Sequence, residues 1–496
     1  MKKKIIIIGG GISGLSAGIY AQKNGFETTI YEKHTMLGGH CTYWDRRGYT
    51  IDGSISYLTG VKPNEDLYQV WQELKAFKDE EIHYQDVFAT VENETAQLHW
   101  YRDLDKLEQH LIEVAPEDTL HIQTLIHDIK LMQHIKIPAK KSMESMHLLD
   151  WMKQIKQMGP ALKISNKYRK MTVIELANQF KNELIRQIIT AFVPSGFQAM
   201  AFMTTAANFA TNYSAKIYGG AKTLVNNLIK EYENVGGTAY CDQGIKKILV
   251  ENQQAIGVEL ENGEHIHADF VIAACDPALT FQHFLPMQYT NKDYAQLISN
   301  PEVGKTHSMI QLFFGVDLDL SKYPSFYIKK GETYLDANQQ ETDFFAFEHF
   351  CEDDDFTATT GKSILKIGIP TKDYALWKNL DRRSYYQKKK ELQQMYRQKL
   401  IEVLPEIEGK IEMVDMSTPV TIERYCSSFE GAYMGVELTP ALKKQYLSNS
   451  IKHLNNVVLA SQWTMLSGGL PTAALSGKFA IQKICKKEGL TFKGVS

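Results

Sequence analysis

Glycines at 9, 11 and 14, an acid at 32 and a glycine pair at 38 and 39 are the residues whose types and spacing point to chemistry. In "IIIIGGGISGLSAGIY" Gly9, Gly11 and Gly14 stand in the order G-x-G-x-x-G. Backbone that must lie against a pyrophosphate needs this order. The first glycine permits a tight turn, the second lets the chain approach phosphate, and the third lets a helix pack closely on a strand. Glu32 follows Gly14 by 18 residues, near the spacing at which an acid meets a ribose hydroxyl. Ile12 and Ser13 inside the motif, and Lys33 beside the acid, complete the candidate nucleotide contacts.

These groups work only on a strand, a turn and a helix. Residues 5–8 are four isoleucines, as a central parallel strand buried on both faces requires. Ile12, Leu15 and Ile19 recur at helical spacing and are expected to face the sheet. The amides and dipole at the start of that helix favour a phosphate. "FETTIYEK" supplies a second strand that delivers Glu32.

Composition narrows the classes. A chain of 496 residues is too long for one small core and implies two large lobes. Its 44% hydrophobic and 23% charged residues are those of a globular protein, and a net charge of -3 gives no global pull toward nucleic acid or anionic membrane. Six cysteines (41, 241, 275, 351, 426 and 485) form no CxxC pair, which argues against a zinc ribbon or an iron–sulfur cluster and fits reduced thiols in the cytoplasm. No secretory signal follows the isoleucine run. The uncharged run 187–215 is long enough to span a bilayer, but it carries Gln, Asn, Ser and Thr with Pro194 and Gly196 as breakers, and is read as buried helix and loop.

Downstream of Glu32, Gly38 and Gly39 are followed by two short strands around "RRG". This arrangement resembles the large flavoprotein family that includes amine oxidases and phytoene desaturases, in which a second glycine pair approaches the FAD phosphates. The resemblance implies FAD as cofactor. The closer likeness is to the phytoene desaturase, carotenoid isomerase and retinol saturase branch. It rests on "GYTIDGSISYL" at 48–58, a loose match of Tyr218, Gly219 and Gly220, and the strands within "GIKKILVENQQAIGVELENGEHIHADFVIAACDP". It also rests on "TPVTIERY", "GAYMGVELTP" and "NVVLASQWTMLSGGLPTAALSGKFAIQKI" near the C-terminus.

The likeness implies that Ile245 touches the adenine through its backbone. It also implies that Ser467, Gly468, Gly469, Leu470 and Pro471 place amides near the flavin ring at the start of the last helix. Two departures stand out. Ser461 and Gln462 precede Trp463 where the family has glycine and an acid that holds the ribityl chain, and Gln462 is expected to bond a hydroxyl through its amide. His40 stands where the family has arginine, and is read as a phosphate contact or as a surface or satisfied core histidine.

The fold class implied is α/β, a Rossmann-type FAD-binding lobe interleaved with an α+β substrate-binding lobe. The flavin lobe takes 1–75, 215–280 and 420–496, and the substrate lobe takes 76–214 and 281–419. Between residues 130 and 170 lie ten Lys or Arg against Glu144 and Asp150, with Leu148, Leu149, Trp151, Met152 and Ile155 interleaved. Such a stretch suits an anionic bilayer surface. The alternative is a helix with its apolar face packed and its charges solvated. The acidic run 352–355 reads as a solvated loop.

The expected function is desaturation, saturation or isomerisation of carbon–carbon bonds in a long apolar substrate, such as a carotenoid precursor, retinoid or related lipid. The chain is placed in the cytoplasm, with peripheral membrane contact through 130–170 and no nucleic-acid partner. An amine oxidase-like enzyme and a prenyl or lipid carrier of the same fold are the alternatives. No metal site is expected. No general acid or base is assigned, because the fifteen histidines are scattered and no HExxH, EF-hand or Ser-His-Asp order occurs.

Overall fold

The computed structural model describes residues 2–159, 161–299, 306–350, 361–442, 446–465 and 468–494. Cys351, the acidic run 352–355 and Ser467 lie outside the described residues.

The isoleucine run, Lys4–Ile8, is an inner strand of a six-stranded sheet. From one edge the order is Thr238–Tyr240, Glu27–Tyr31, Lys4–Ile8, Phe270–Ala273, Leu454–Leu459 and Ser450–Ile451. All neighbours are parallel except the last pair, an antiparallel hairpin. Side chains alternate across a strand, so the run serves two cores. Ile5 and Ile7 pack with Leu15, Ile19, Leu224, Leu228 and Ile481, from the helices Ile12–Lys23, Gly220–Asn234 and Leu470–Lys487. Ile6 and Ile8 pack on the opposite face with Ile248 and Val258 of the antiparallel strands Ile245–Glu251 and Gln254–Leu260.

The last helix crosses the first at close range. A Cβ on Gly477 would lie 2.5 Å from the Ser13 carbonyl oxygen. Ser16 Oγ donates to the Ala474 carbonyl at 2.7 Å, and Ser476 Oγ donates to Ser13 Oγ at 3.2 Å. This crossing brings the start of Leu470–Lys487 beside the glycine turn, although they are more than 450 positions apart.

A second sheet has seven strands in the order Ile411–Ser417, Ser308–Val316, Ser363–Thr371, Glu341–Phe350, Phe326–Leu335, Val87–Glu92 and Gln97–Tyr101. Neighbours are antiparallel except Phe326–Leu335 with Val87–Glu92. Helix Arg382–Val403 covers part of it through Tyr396 and Leu400. Helices between residues 104 and 210 build another core against Val91, Leu98, Trp100 and Ile328. The uncharged run forms most of Glu183–Phe192 and all of Ala199–Ala210, with Ile188, Ile189, Phe202 and Met203 buried. No helix among the described residues is long and apolar enough to cross a membrane.

Helix Leu148–Met158 departs from ordinary amphipathic packing. Leu148, Leu149, Met152 and Ile155 are 75%, 78%, 58% and 53% exposed, so the alternative of a packed apolar face does not hold. Nothing in the fold covers that face among the described residues, and Lys153 and Lys156 beside it are exposed too.

Candidate functional site

At its first and last motif positions the glycine turn tolerates no side chain. Gly9 has φ +98°, and a Cβ on Gly14 would sit 2.0 Å from the Gly9 carbonyl oxygen. Gly11 is different. Its φ of -70° suits any residue, and the nearest atoms to a Cβ there are 3.7 Å away. Those atoms are the Gly38 carbonyl oxygen and Gly39 Cα. The second glycine pair thus stands against the first motif, with the Gly38 N–H donating to the Gly10 carbonyl at 2.9 Å. The two segments form one wall of bare backbone, the surface a pyrophosphate requires.

Glu32 stands at the end of the second strand and is nearly buried. Its Oε2 accepts from the Gly10 N–H at 2.7 Å, and its Oε1 accepts from the His34 N–H at 2.9 Å. Each oxygen keeps a lone pair for a ribose hydroxyl. Burial pushes His40 down to about 4, so at neutral pH it offers a hydrogen-bond donor and no cationic charge.

Gly469, with φ +95°, opens the helix Leu470–Lys487. Gln462 Oε1 accepts from the Gly469 N–H at 2.9 Å. The amide that replaces the expected acid therefore spends its oxygen on the entrance to the last helix and keeps its NH₂ as donor.

Gly9, Gly11, Ile12, Ser13, Glu32, Lys33, Gly38, Gly39, His40, Ile245, Gln462, Gly469 and Leu470 line one cavity of about 1160 Å³. Gly14 does not line it, and lies instead in the contact between helix and strand. A single-ligand pocket is usually about 300–1,000 Å³, so this volume leaves room for a cofactor and a second molecule. The residues present fit a dinucleotide along the glycine wall.

Several lining residues carried no expectation from the sequence. Asp276 closes the strand Phe270–Ala273 and the loop after it. Its oxygens accept from the Ala278 N–H at 2.7 Å and the Phe429 N–H at 2.8 Å, and burial pushes its carboxyl up to about 6. Asp52 lies behind the wall. It accepts from the Ser54, Ile55 and Ala221 N–H groups at 2.7–2.8 Å and ties the hairpin to the helix Gly220–Asn234. Away from the nucleotide wall the lining turns aromatic, with Tyr57, Phe88, Phe192, Phe197, Phe326 and Phe347. Phe88 and Phe192 meet with centroids 4.7 Å apart and planes tilted by 49°. In the same lining stand Glu348 and Lys366. A lysine in the middle of "SILKIGIPT" was the available sign, since an apolar strand gives no other reason for it.

Comparison with known proteins follows the same lines. A 4,4'-diapophytoene desaturase (4,4'-diapolycopene-forming) of Methylomonas sp is 22% identical over 520 positions, covering 100% of this chain and 97% of that one. A 4,4'-diaponeurosporene oxygenase of Staphylococcus haemolyticus is 23% identical over 511 positions, with 97% of each chain covered. Among solved structures, cyclohexylamine oxidase from Brevibacterium oxydans superposes with a TM-score of 0.59 at 13% identity, over 99% of this chain and 100% of that one, which shows a shared fold. The family described as flavin containing amine oxidoreductase matches residues 12–485. With both glycine segments and the last helix inside or beside that match, the chain belongs to the flavin-containing amine oxidoreductase family.

Proposed function

We propose that this protein is an FAD-dependent oxidoreductase that desaturates, saturates or isomerises carbon–carbon bonds in a long apolar substrate, such as a carotenoid precursor, a retinoid or a related lipid. Family membership makes the cofactor a flavin. The adenine dinucleotide form is supported by the glycine wall and by Glu32, which waits where a ribose would stand. One observation carries the reading: the same cavity that runs along Gly11 and Glu32 continues into an aromatic compartment between Phe88, Phe192, Phe326 and Phe347. The names of the desaturase and oxygenase relatives favour a carotenoid-type substrate.

Bound flavin supplies hydride acceptance or donation. The chain supplies the rest. Gly11, Gly38 and Gly39 present backbone to the phosphates, Glu32 holds the ribose, and Ile245 lies along the adenine. Gly469 and Leu470 set a helix start toward the ring, where its dipole favours negative charge. The aromatic rings grip an extended apolar chain and keep water from the reacting bond. The flavin lobe comprises 1–75, 215–280 and 420–496, and the segments between them form the substrate lobe. The exposed apolar face of Leu148–Met158, flanked by Lys140, Lys141, Lys153 and Lys156, serves as the contact with an anionic membrane from which the substrate is drawn.

Purified protein should be yellow. Incubation of its oxidised and reduced forms with polyenes, retinoids and unsaturated fatty acids should change the conjugation of one of them, read by absorbance. Peroxide release with amines and no turnover of polyenes would identify an amine oxidase instead. A colourless protein that cannot be reconstituted with FAD would identify a lipid carrier.

A further inference from the structure

Lys366 gives the apolar compartment a charge that a hydrocarbon does not need. It sits in the strand Ser363–Thr371 between Leu365 and Ile367, is only 4% exposed, and still lines the cavity. The register sets Glu348 of the neighbouring strand directly beside it, at 4.0 Å between charged atoms. Among the described residues its ammonium makes no hydrogen bond, and besides Glu348 it meets the face of the Phe350 ring, 5.9 Å from the centroid. Two neighbouring polar groups are already engaged, and a second lysine, Lys216, lines the same cavity with its ammonium 5.4 Å from the Phe350 ring centroid. Tyr433 donates its hydroxyl to the Ser54 carbonyl at 3.1 Å, and Gln311 donates its amide to the Gly53 carbonyl at 2.9 Å.

Burial pushes Lys366 toward neutrality, but Glu348, Tyr433 and Asp52 outweigh it and hold the ammonium charged. An ammonium carries three donors and no acceptor. A buried charge with its donors unused is far costlier than the Leu or Ile its strand neighbours would suggest. The cost makes sense when a ligand completes the hydrogen bonding, as polar groups in apolar pockets commonly do to fix orientation.

We propose that the substrate bears an acceptor oxygen, a carbonyl or a carboxylate, and that Lys366 receives it, with Glu348 holding the ammonium in place. The proposal rests on reading the aromatic compartment as the substrate's. Phe88, Phe192, Phe326 and Phe347 take the apolar chain, while Lys366 sets which end enters and how far.

The test uses full-length protein in its flavin-loaded form. Retinal, retinoic acid and the oxygen-free polyene of equal chain length are titrated, with binding read as quenching of tryptophan fluorescence. Flavin retention, measured in the same samples, reports separately on the cofactor assignment. A hydrogen bond to a charged group should favour retinal or retinoic acid by about ten-fold or more over the hydrocarbon. Preference for retinal assigns a carbonyl, and preference for the acid a carboxylate. Lys366→Met should abolish the preference, read as the ratio of oxygenated to hydrocarbon affinity within the same protein, and Lys366→Arg should restore part of it. Equal binding of all three ligands by the unaltered protein overturns the proposal, even if Lys366→Met fails to fold. So does a preference that survives in Lys366→Met.

Discussion

Two glycines three residues apart should fail in opposite ways when each becomes alanine. At Gly14 the new Cβ would meet the Gly9 carbonyl oxygen at 2.0 Å, well inside the 3.0 Å below which something must shift, so turn and helix must part by at least about 1 Å. The carbonyl is backbone and the Cβ is fixed by its own backbone, so no flexible side chain can swing aside. Overpacking of this kind costs about 1–3 kcal/mol. That cost falls on the apoprotein and holoprotein alike and, for a chain of 496 residues, should lower the melting temperature by about 1–3 °C. At Gly11 the backbone is already in an ordinary conformation, with 3.7 Å of clearance. Gly11→Ala should leave the apoprotein unchanged or stabilise it by about 0.4–1 kcal/mol through the unfolded chain.

The loss at Gly11 appears only with ligand, because the methyl group stands where phosphate must approach. FAD at a hundred times its dissociation constant stabilises the unaltered protein by about 2.7 kcal/mol, and a variant binding a hundred-fold more weakly keeps about 0.4 kcal/mol. Thermal melts of apoprotein with and without FAD, together with flavin fluorescence, separate the two outcomes. A Gly11→Ala protein with the full FAD shift would refute the placement of phosphate on this wall. A Gly14→Ala protein that melts normally would refute the packing role.

Glu32→Ala removes the acceptor for the Gly10 and His34 amides as well as the proposed ribose contact, and should weaken FAD binding at least ten-fold in titrations of apoprotein. Burial lowers His307 and His349 from 6.5 to about 4, so the unfolded chain takes up their protons first. Their stabilisation is complete above pH 6.5 and is lost as pH falls through about 4. The loss is up to about 3 kcal/mol each. Denaturant midpoints measured from pH 7 to pH 4 should fall, and His307→Gln should flatten part of that slope. Neutralising Lys140, Lys141, Lys153 and Lys156 together should reduce co-sedimentation with anionic liposomes at low salt, and unchanged co-sedimentation would reject the membrane contact.

The glycine end of the cavity was legible as strand, turn and helix because it is local. Strand, turn and helix lie within residues 4–23, and the glycines, the isoleucine run and the helical spacing of Leu15 and Ile19 each announce one part. Even Gly14's place outside the cavity follows from its part in the motif. The aromatic end of the cavity was not legible. Its walls come from Tyr57, Phe88, Phe192, Phe326 and Lys366, which no sequence window contains together. Gln462 is a middle case. An amide could be read as a donor to the cofactor, but its bond to the Gly469 N–H depends on a bend at two positive-φ glycines. Helix Leu148–Met158 is another. Periodicity shows which of its faces is apolar, and only the packing shows that nothing covers that face among the described residues.

What the sequence determined by itself is therefore local: a turn of bare glycine backbone, a carboxylate at the end of the second strand, and a strand apolar enough to be buried twice. These properties depend on neighbours a few positions away. The tertiary structure alone decided that the last helix meets the first through Gly477, that two sheets share one cavity, and that a buried Lys366 beside Glu348 stands in its lining. Those outcomes depend on contacts between residues hundreds of positions apart, where strand order and shape complementarity leave no local pattern to read.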